Sequence, residues 1–172
     1  MNIQTNPWSF LDTDPLIATI AASPTGLIWS AGGVVTVDAT AHGFTVAANP
    51  FVTIIGATNA AYNGFYRLIA VPDANHMTLY APNLAQTPLA ASGGGTAMWC
   101  QYPNYTRIED IQWESPAQGA TVTIYDRSGH LLWTATYPAA GEAPNWNRGK
   151  LFWVNGFTIN TLSSGTILVT VN

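Results

Sequence analysis

The stretch that most constrains this chain is Val34–Tyr80, in which four apolar runs are separated at short intervals by His42-Gly43, Asn49-Pro50, Asn63-Gly64 and Pro72-Asp73-Ala74-Asn75. Val34-Val35-Thr36-Val37 is β-branched throughout. Such side chains lose rotamer freedom in a helix and fit a pleated surface. The runs are too short for helices, and the turn residues recur too often to allow one. The stretch is therefore read as successive strands. Few of its side chains do acid–base work, and its glycines are not spaced to cradle a phosphate. It is expected to form a rigid β module whose product is a surface.

The same rhythm runs through most of the chain. Strands are predicted at Leu27–Ser30, Val34–Ala39, Phe51–Ile55, Phe65–Val71, Met77–Tyr80 and Thr96–Gln101. A second set is predicted at Arg107–Glu114, Ala120–Tyr125, Leu131–Tyr137, Leu151–Val154, Phe157–Leu162 and Thr166–Val171. Asn63-Gly64 and Asn155-Gly156 read as tight reversals. Asp126-Arg127-Ser128-Gly129 reads as a hairpin with a type I turn. Gly93-Gly94-Gly95 reads as a flexible loop. Strands every 8–12 residues give an all-β fold of one or two small β-sandwich or barrel modules. Residues 1–26 carry Pro7, Pro15 and Pro24 and no long pattern. They are read as an extended N-terminal arm with at most one helical turn over Pro15–Ala21, which Asp14-Pro15 would start. The expected division is 1–26 arm, 27–104 first β module and 105–172 second β module.

Charge is scarce. Only 8% of the 172 residues are charged, against roughly 25% in typical soluble domains. Between Met1 and Tyr66 the charged side chains are Asp12, Asp14 and Asp38 alone. Interface cores are depleted in charge and enriched in aromatics, and this chain has seven Trp, seven Tyr and six Phe. Partners are therefore expected to cover much of the surface. The arm residues Trp8, Phe10 and Leu11 are candidate anchors, on the chain's own domain or on a neighbour. Trp146 and Arg148, in the predicted loop Pro144–Gly149, are the other candidates, since Trp and Arg are enriched at interface hot spots.

Other classes are disfavoured. A net charge of −4 with five scattered cations is a poor match to nucleic acid. No apolar run reaches the roughly 18 residues that span a bilayer. The start, MNIQTNPWSFLDTDPL, has no cationic secretory segment, so a protein made in the cytoplasm and not exported is expected. Cys100 is the one cysteine, set in an apolar context that suits a buried thiol. His42, His76 and His130 are far apart and turn-adjacent, which suits turn roles better than zinc ligation. Glu109, Asp110 and Glu114 form the acidic cluster. Glu109 and Asp110 should point to opposite faces of a strand, which favours ion pairing with Arg107 or Arg148 over paired-carboxylate hydrolysis. No catalytic residue, cofactor or metal is expected. The set Trp133, Tyr137, Trp146, Phe152, Trp153 and Phe157 reads either as core or as a carbohydrate-binding face.

Two segments resemble tailed-bacteriophage virion proteins. Val34–Val37, His42-Gly43-Phe44, Val52-Thr53-Ile54, Gly56-Ala57, Tyr62-Asn63-Gly64 and Thr78-Leu79 resemble a small β module that recurs in phage structural proteins. Ile111-Gln112-Trp113, Ala120–Asp126, Gly129, Gly149-Lys150, Val154-Asn155-Gly156 and Ser164-Gly165-Thr166 resemble short head-associated β proteins. Together these cover about two thirds of the chain. The resemblance implies a non-enzymatic virion protein, made in the host cytoplasm, foremost a capsid decoration (cement) protein on the major capsid protein and a homo-oligomer. The other reading is a tail, baseplate or fibre module that binds a neighbouring tail protein or a host glycan.

Overall fold

The computed structural model describes residues 6–11, 16–84, 88–138 and 152–171. Its strands, in chain order, are β1 (Asn6–Leu11), β2 (Ile17–Thr19), β3 (Leu27–Ser30), β4 (Val34–Asp38), β5 (Phe51–Ile55), β6 (Gly64–Ala70) and β7 (His76–Tyr80). They continue as β8 (Thr96–Trp99), β9 (Tyr102–Glu114), β10 (Thr121–Asp126), β11 (Leu131–Thr136), β12 (Phe152–Leu162) and β13 (Thr166–Val171). The fold is all-β, with two antiparallel sheets of order β2-β8-β5-β6-β7-β4-β3 and β1-β13-β9-β12-β10-β11. One compact unit takes the described residues of Leu16–Gln101 together with Arg127–Gly129; the other takes Tyr102–Asp126, the described residues from His130 onward and the strand before residue 16.

In the seven-stranded unit, alternation aims Val35, Val37, Val52, Ile54, Leu68, Met77 and Leu79 into one core. Each such fully buried side chain contributes roughly 1.5–3 kcal/mol relative to leaving it in water. The edges of this sheet are joined through the chain's own backbone. Ala21 N–H donates to Asp38 C=O at 2.8 Å, and Leu27 and Ser92 exchange two bonds of 3.0 and 2.9 Å. The glycine run sits at the junction. Gly94 N–H donates to Ala21 C=O, 2.7 Å, while Gly93 and Gly95 carbonyls accept from Thr58 and Ile20. A Cβ on Gly93 would lie 2.2 Å from Ser23 N, and one on Gly95 2.4 Å from Ile55 O. The run read as a flexible loop is a packed crossing, glycine because no side chain fits between the backbones.

The six-stranded unit has its own core of Ile108, Ile111, Trp113, Val122, Ile124, Phe157, Ile159, Ile167 and Val169. Its sheet curls enough that Trp113 of β9 meets Trp133 of β11 and Tyr137 edge-on, both at 6.4 Å. The hairpin β10–β11 forms as the Asp126–Gly129 pattern predicts: Asp126 N–H donates to His130 C=O, and His130 N–H donates to the Asp126 carboxylate.

Several expectations change. The described residues of the predicted arm, 6–11 and 16–26, do not form a separate arm. β1 pairs with β13 over its whole length, and β2 pairs with β8 in the other sheet. No helical turn forms at Ile17–Ala21, because β8, Gly95 and Asp38 take up its backbone groups. Asn155-Gly156 does not reverse the chain: β12 runs through it with a register shift against β9. Gly156 is a bulge residue at φ +73°, where a Cβ would meet Tyr102 O at 2.4 Å. Asn63-Gly64 is not a two-residue hairpin; a short 3-10 turn, Ala60–Tyr62, precedes it, capped by Asn59. Glu109 is the extra residue of a register shift between Ile108 and Asp110, with Ile108 and Ile111 both fully buried. The core direction is thus taken twice, and neither carboxylate enters it.

The crossing at Gly93 yields a stability prediction. Gly93→Ala should cost about 3 kcal/mol or more in urea unfolding, beyond the usual overpacking range, because backbone and not a flexible side chain must move. Gly32→Ala, where a Cβ meets nothing within 4 Å although φ is +84°, should cost only about 1–2 kcal/mol. Equal losses would show that the crossing is not sterically tight.

Candidate binding surface

The residues that stand out are on the outside of the sheets. In the seven-stranded unit, register lines up Ser30, Val34, Tyr80, Arg67 and Phe51 across β3, β4, β7, β6 and β5. Their strand neighbours Val35, Leu68, Leu79 and Val52 are in the core, so this row faces outward. Ile28 of β3 and Ile69, the bulge residue of β6, flank it. Ile28, Ile69 and Tyr80 are all exposed large apolar side chains, and Arg67 is the one charge in the row. Phe51 stacks on Phe65 at 5.3 Å.

In the six-stranded unit, Tyr105 of β9 and Trp153 of β12 are 64% and 58% exposed. They are the most exposed large hydrophobic side chains among the described residues. Their rings stack at 5.1 Å and within 4° of parallel. Register explains the pairing. Arg107 is directly opposite Trp153 and Asn155 opposite Tyr105, so the two rings meet diagonally on the face away from buried Thr106, Ile108 and Val154. Arg107 belongs to the same face, and its Nε is buried with no hydrogen-bond partner among the described residues.

The predicted site residues fare unequally. Trp8, Phe10 and Leu11 lie on β1, opposite Val169, Ile167 and Thr166. Trp146 and Arg148 lie outside the described residues. The aromatic set divides: Phe157 is core, and Trp133 and Tyr137 pack against that core. Trp153 alone of the described side chains in the set is exposed. Tyr105 precedes the strand predicted from Arg107, whereas β9 starts at Tyr102; the alternation Tyr105, Arg107 against Thr106, Ile108 is the signal that places it. Ion pairs between described residues include His76–Asp73 and His130–Asp126; Arg148, an expected partner of the acidic cluster, lies outside the described residues.

Two histidines stitch the turn at Asp73–His76 to the strand end at Asp38–Phe44. His42 is buried, accepting from Phe44 N–H at Nδ1 (3.0 Å) while Nε2 faces the His76 carbonyl at 3.2 Å. That pair of bonds selects the Nε2–H tautomer. Asp73 accepts from Asn75 N–H (2.8 Å), His76 N–H (3.0 Å) and His76 Nδ1 (2.9 Å). In the core, burial pushes the Tyr66 hydroxyl up to about 12, with the Tyr62 charge adding to it, and its Oη donates to Tyr62 C=O at 2.7 Å. Cys100 is buried, as its context suggested. Among the described residues no three metal-ligating side chains converge.

The turn gives a pH prediction. Hydrogen bonds from Asn75 and then His76 lower the Asp73 carboxyl, and the hydrogen bond to Asp73 raises His76. The Asp73 contribution is present above its ordinary value near 4 and is lost as pH falls through the lowered one. The His76 contribution is present below roughly 6.5 and is lost as pH rises through the raised one. In an NMR titration Asp73→Asn should move His76 down toward its ordinary value; an unmoved His76 would refute the pairing.

No protein-family model, curated protein or solved structure matches this chain.

Proposed function

We propose that the protein is a non-enzymatic structural component of a tailed-phage virion, acting as a decoration protein that binds the assembled head and stabilises it. The observation that carries this reading is the outer face of the seven-stranded sheet. Ile28, Val34, Ile69, Tyr80 and Phe51 form an apolar and aromatic strip broken by one charge, Arg67. That composition, poor in charge with Tyr and Arg present, is the composition of an interface core. The whole-chain charge of 8% agrees with it, as does the likeness of Val34–Leu79 and Ile111–Thr166 to phage β modules.

The partner fitting this reading is the major capsid protein. A rigid antiparallel sheet suits the task, since a preformed surface loses little conformational freedom on docking. A tail-associated position would use the same strip against a different neighbour.

In the phage that encodes it, the protein should co-purify with heads, and heads from a deletion strain should lose their contents at lower temperature. Added back in solution, the wild-type protein should restore heat resistance. Tyr80→Glu and Ile69→Glu, both at exposed positions, should reduce head binding at least tenfold while melting within a few degrees of wild type. Purified heads that contain none of the protein would overturn the decoration reading.

A further inference from the structure

The geometry points to a second, separate site on the six-stranded unit: the Tyr105–Trp153 step with Arg107 is a binding site for a saccharide that carries a carboxylate. The site does not depend on the virion reading, since it lies on a different unit's sheet from the strip assigned to the capsid. It follows from residues on two adjacent strands.

The rings come first. Tyr105 and Trp153 are held parallel at 5.1 Å, so neither pays the ordering cost of an isolated exposed aromatic when a ligand arrives. Stacking occupies one face of each ring and leaves the other for a partner. The C–H face of a sugar ring is weakly positive and meets the negative π face of an aromatic ring. An exposure of 64% and 58% on neighbouring strands leaves room for it.

Arg107 supplies the selectivity. It is the direct cross-strand neighbour of Trp153 and is partly exposed; its Nε is buried without a hydrogen-bond partner among the described residues, which leaves the Nη end of the guanidinium as the part a ligand can meet. A guanidinium presents a planar fork of donors that matches a carboxylate. Asn155, opposite Tyr105, adds an amide on the same face for a hydroxyl. Glu109, two residues along β9 from Arg107, is the nearest acidic side chain on that strand and sets a limit on how much negative charge the ligand brings. One carboxylate per sugar at the arginine fits; a densely sulfated chain does not.

The test uses the whole chain, a trigalacturonate probe and its carboxyl-reduced neutral counterpart. Binding is followed by intrinsic fluorescence and by the Trp153 indole N–H resonance. The acidic trimer should shift that resonance and bind at least tenfold more tightly than the neutral one. Arg107→Gln should abolish the difference, the loss of one charged hydrogen bond being worth about tenfold or more. Trp153→Ala should remove binding of both sugars, and Trp153→Phe should restore part of it. Glu109→Gln should tighten the acidic trimer. Arg107→Gln should melt with wild type, because the buried Nε it removes has no hydrogen-bond partner among the described residues. The inference is overturned if the indole does not respond at 20 mM probe, if both trimers bind equally, or if Arg107→Gln binds as wild type. It is also overturned if Arg107→Gln unfolds the unit, which would make the arginine part of the framework.

Discussion

The seven-stranded unit depends on the passage of Gly93–Gly95 between other backbone segments. A sheet with two free edges exposes unpaired N–H and C=O groups and leaves one side of its core open. Here the glycine run carries hydrogen bonds to Ile20, Ala21 and Thr58, and Ser92 beside it pairs with Leu27. Those bonds join the β2 side of the sheet to the β3–β4 side. The core of valines, leucines and methionines is thereby enclosed by a single sheet. Van der Waals contact alone would not do this, since a Cβ at Gly93 or Gly95 would hold the strands apart.

The local structure was largely legible in the sequence. Strands at Leu27–Ser30 and Phe51–Ile55 stand where they were predicted, and the Asp126–Gly129 hairpin forms with Asp126 bonded to His130. What was not legible depends on partners distant in sequence. β1 reads as an irregular arm because its pattern is short; its identity as a strand comes from β13, at the other end of the sequence. Gly93–Gly95 reads as a loop because local composition cannot tell a flexible glycine from one squeezed by Ser23. The bulges at Glu109 and Gly156 change which face a side chain takes, and only the register against β13 and β9 reveals them.

The same limit governs the candidate sites. Trp153 belongs to a set that reads first as core and otherwise as a carbohydrate face, and the fold separates it from Trp133, Tyr137 and Phe157. Its partnership with Tyr105 required the β9–β12 register. The apolar row across β3–β5 likewise exists only once five strands are aligned. Charge poverty, by contrast, was visible at once, and it is what makes both surfaces unusual: a chain with five cations places Arg67 in one and Arg107 in the other. The two surfaces belong to different compact units.

The virion proposal is tested most directly by the number of copies of the protein per purified phage particle, counted by quantitative mass spectrometry against the major capsid protein. A decoration role predicts a fixed ratio to the major capsid protein, with hundreds of copies per particle. A count of six, twelve or a small multiple would move the protein to the neck or tail. None at all would contradict a structural role in the virion.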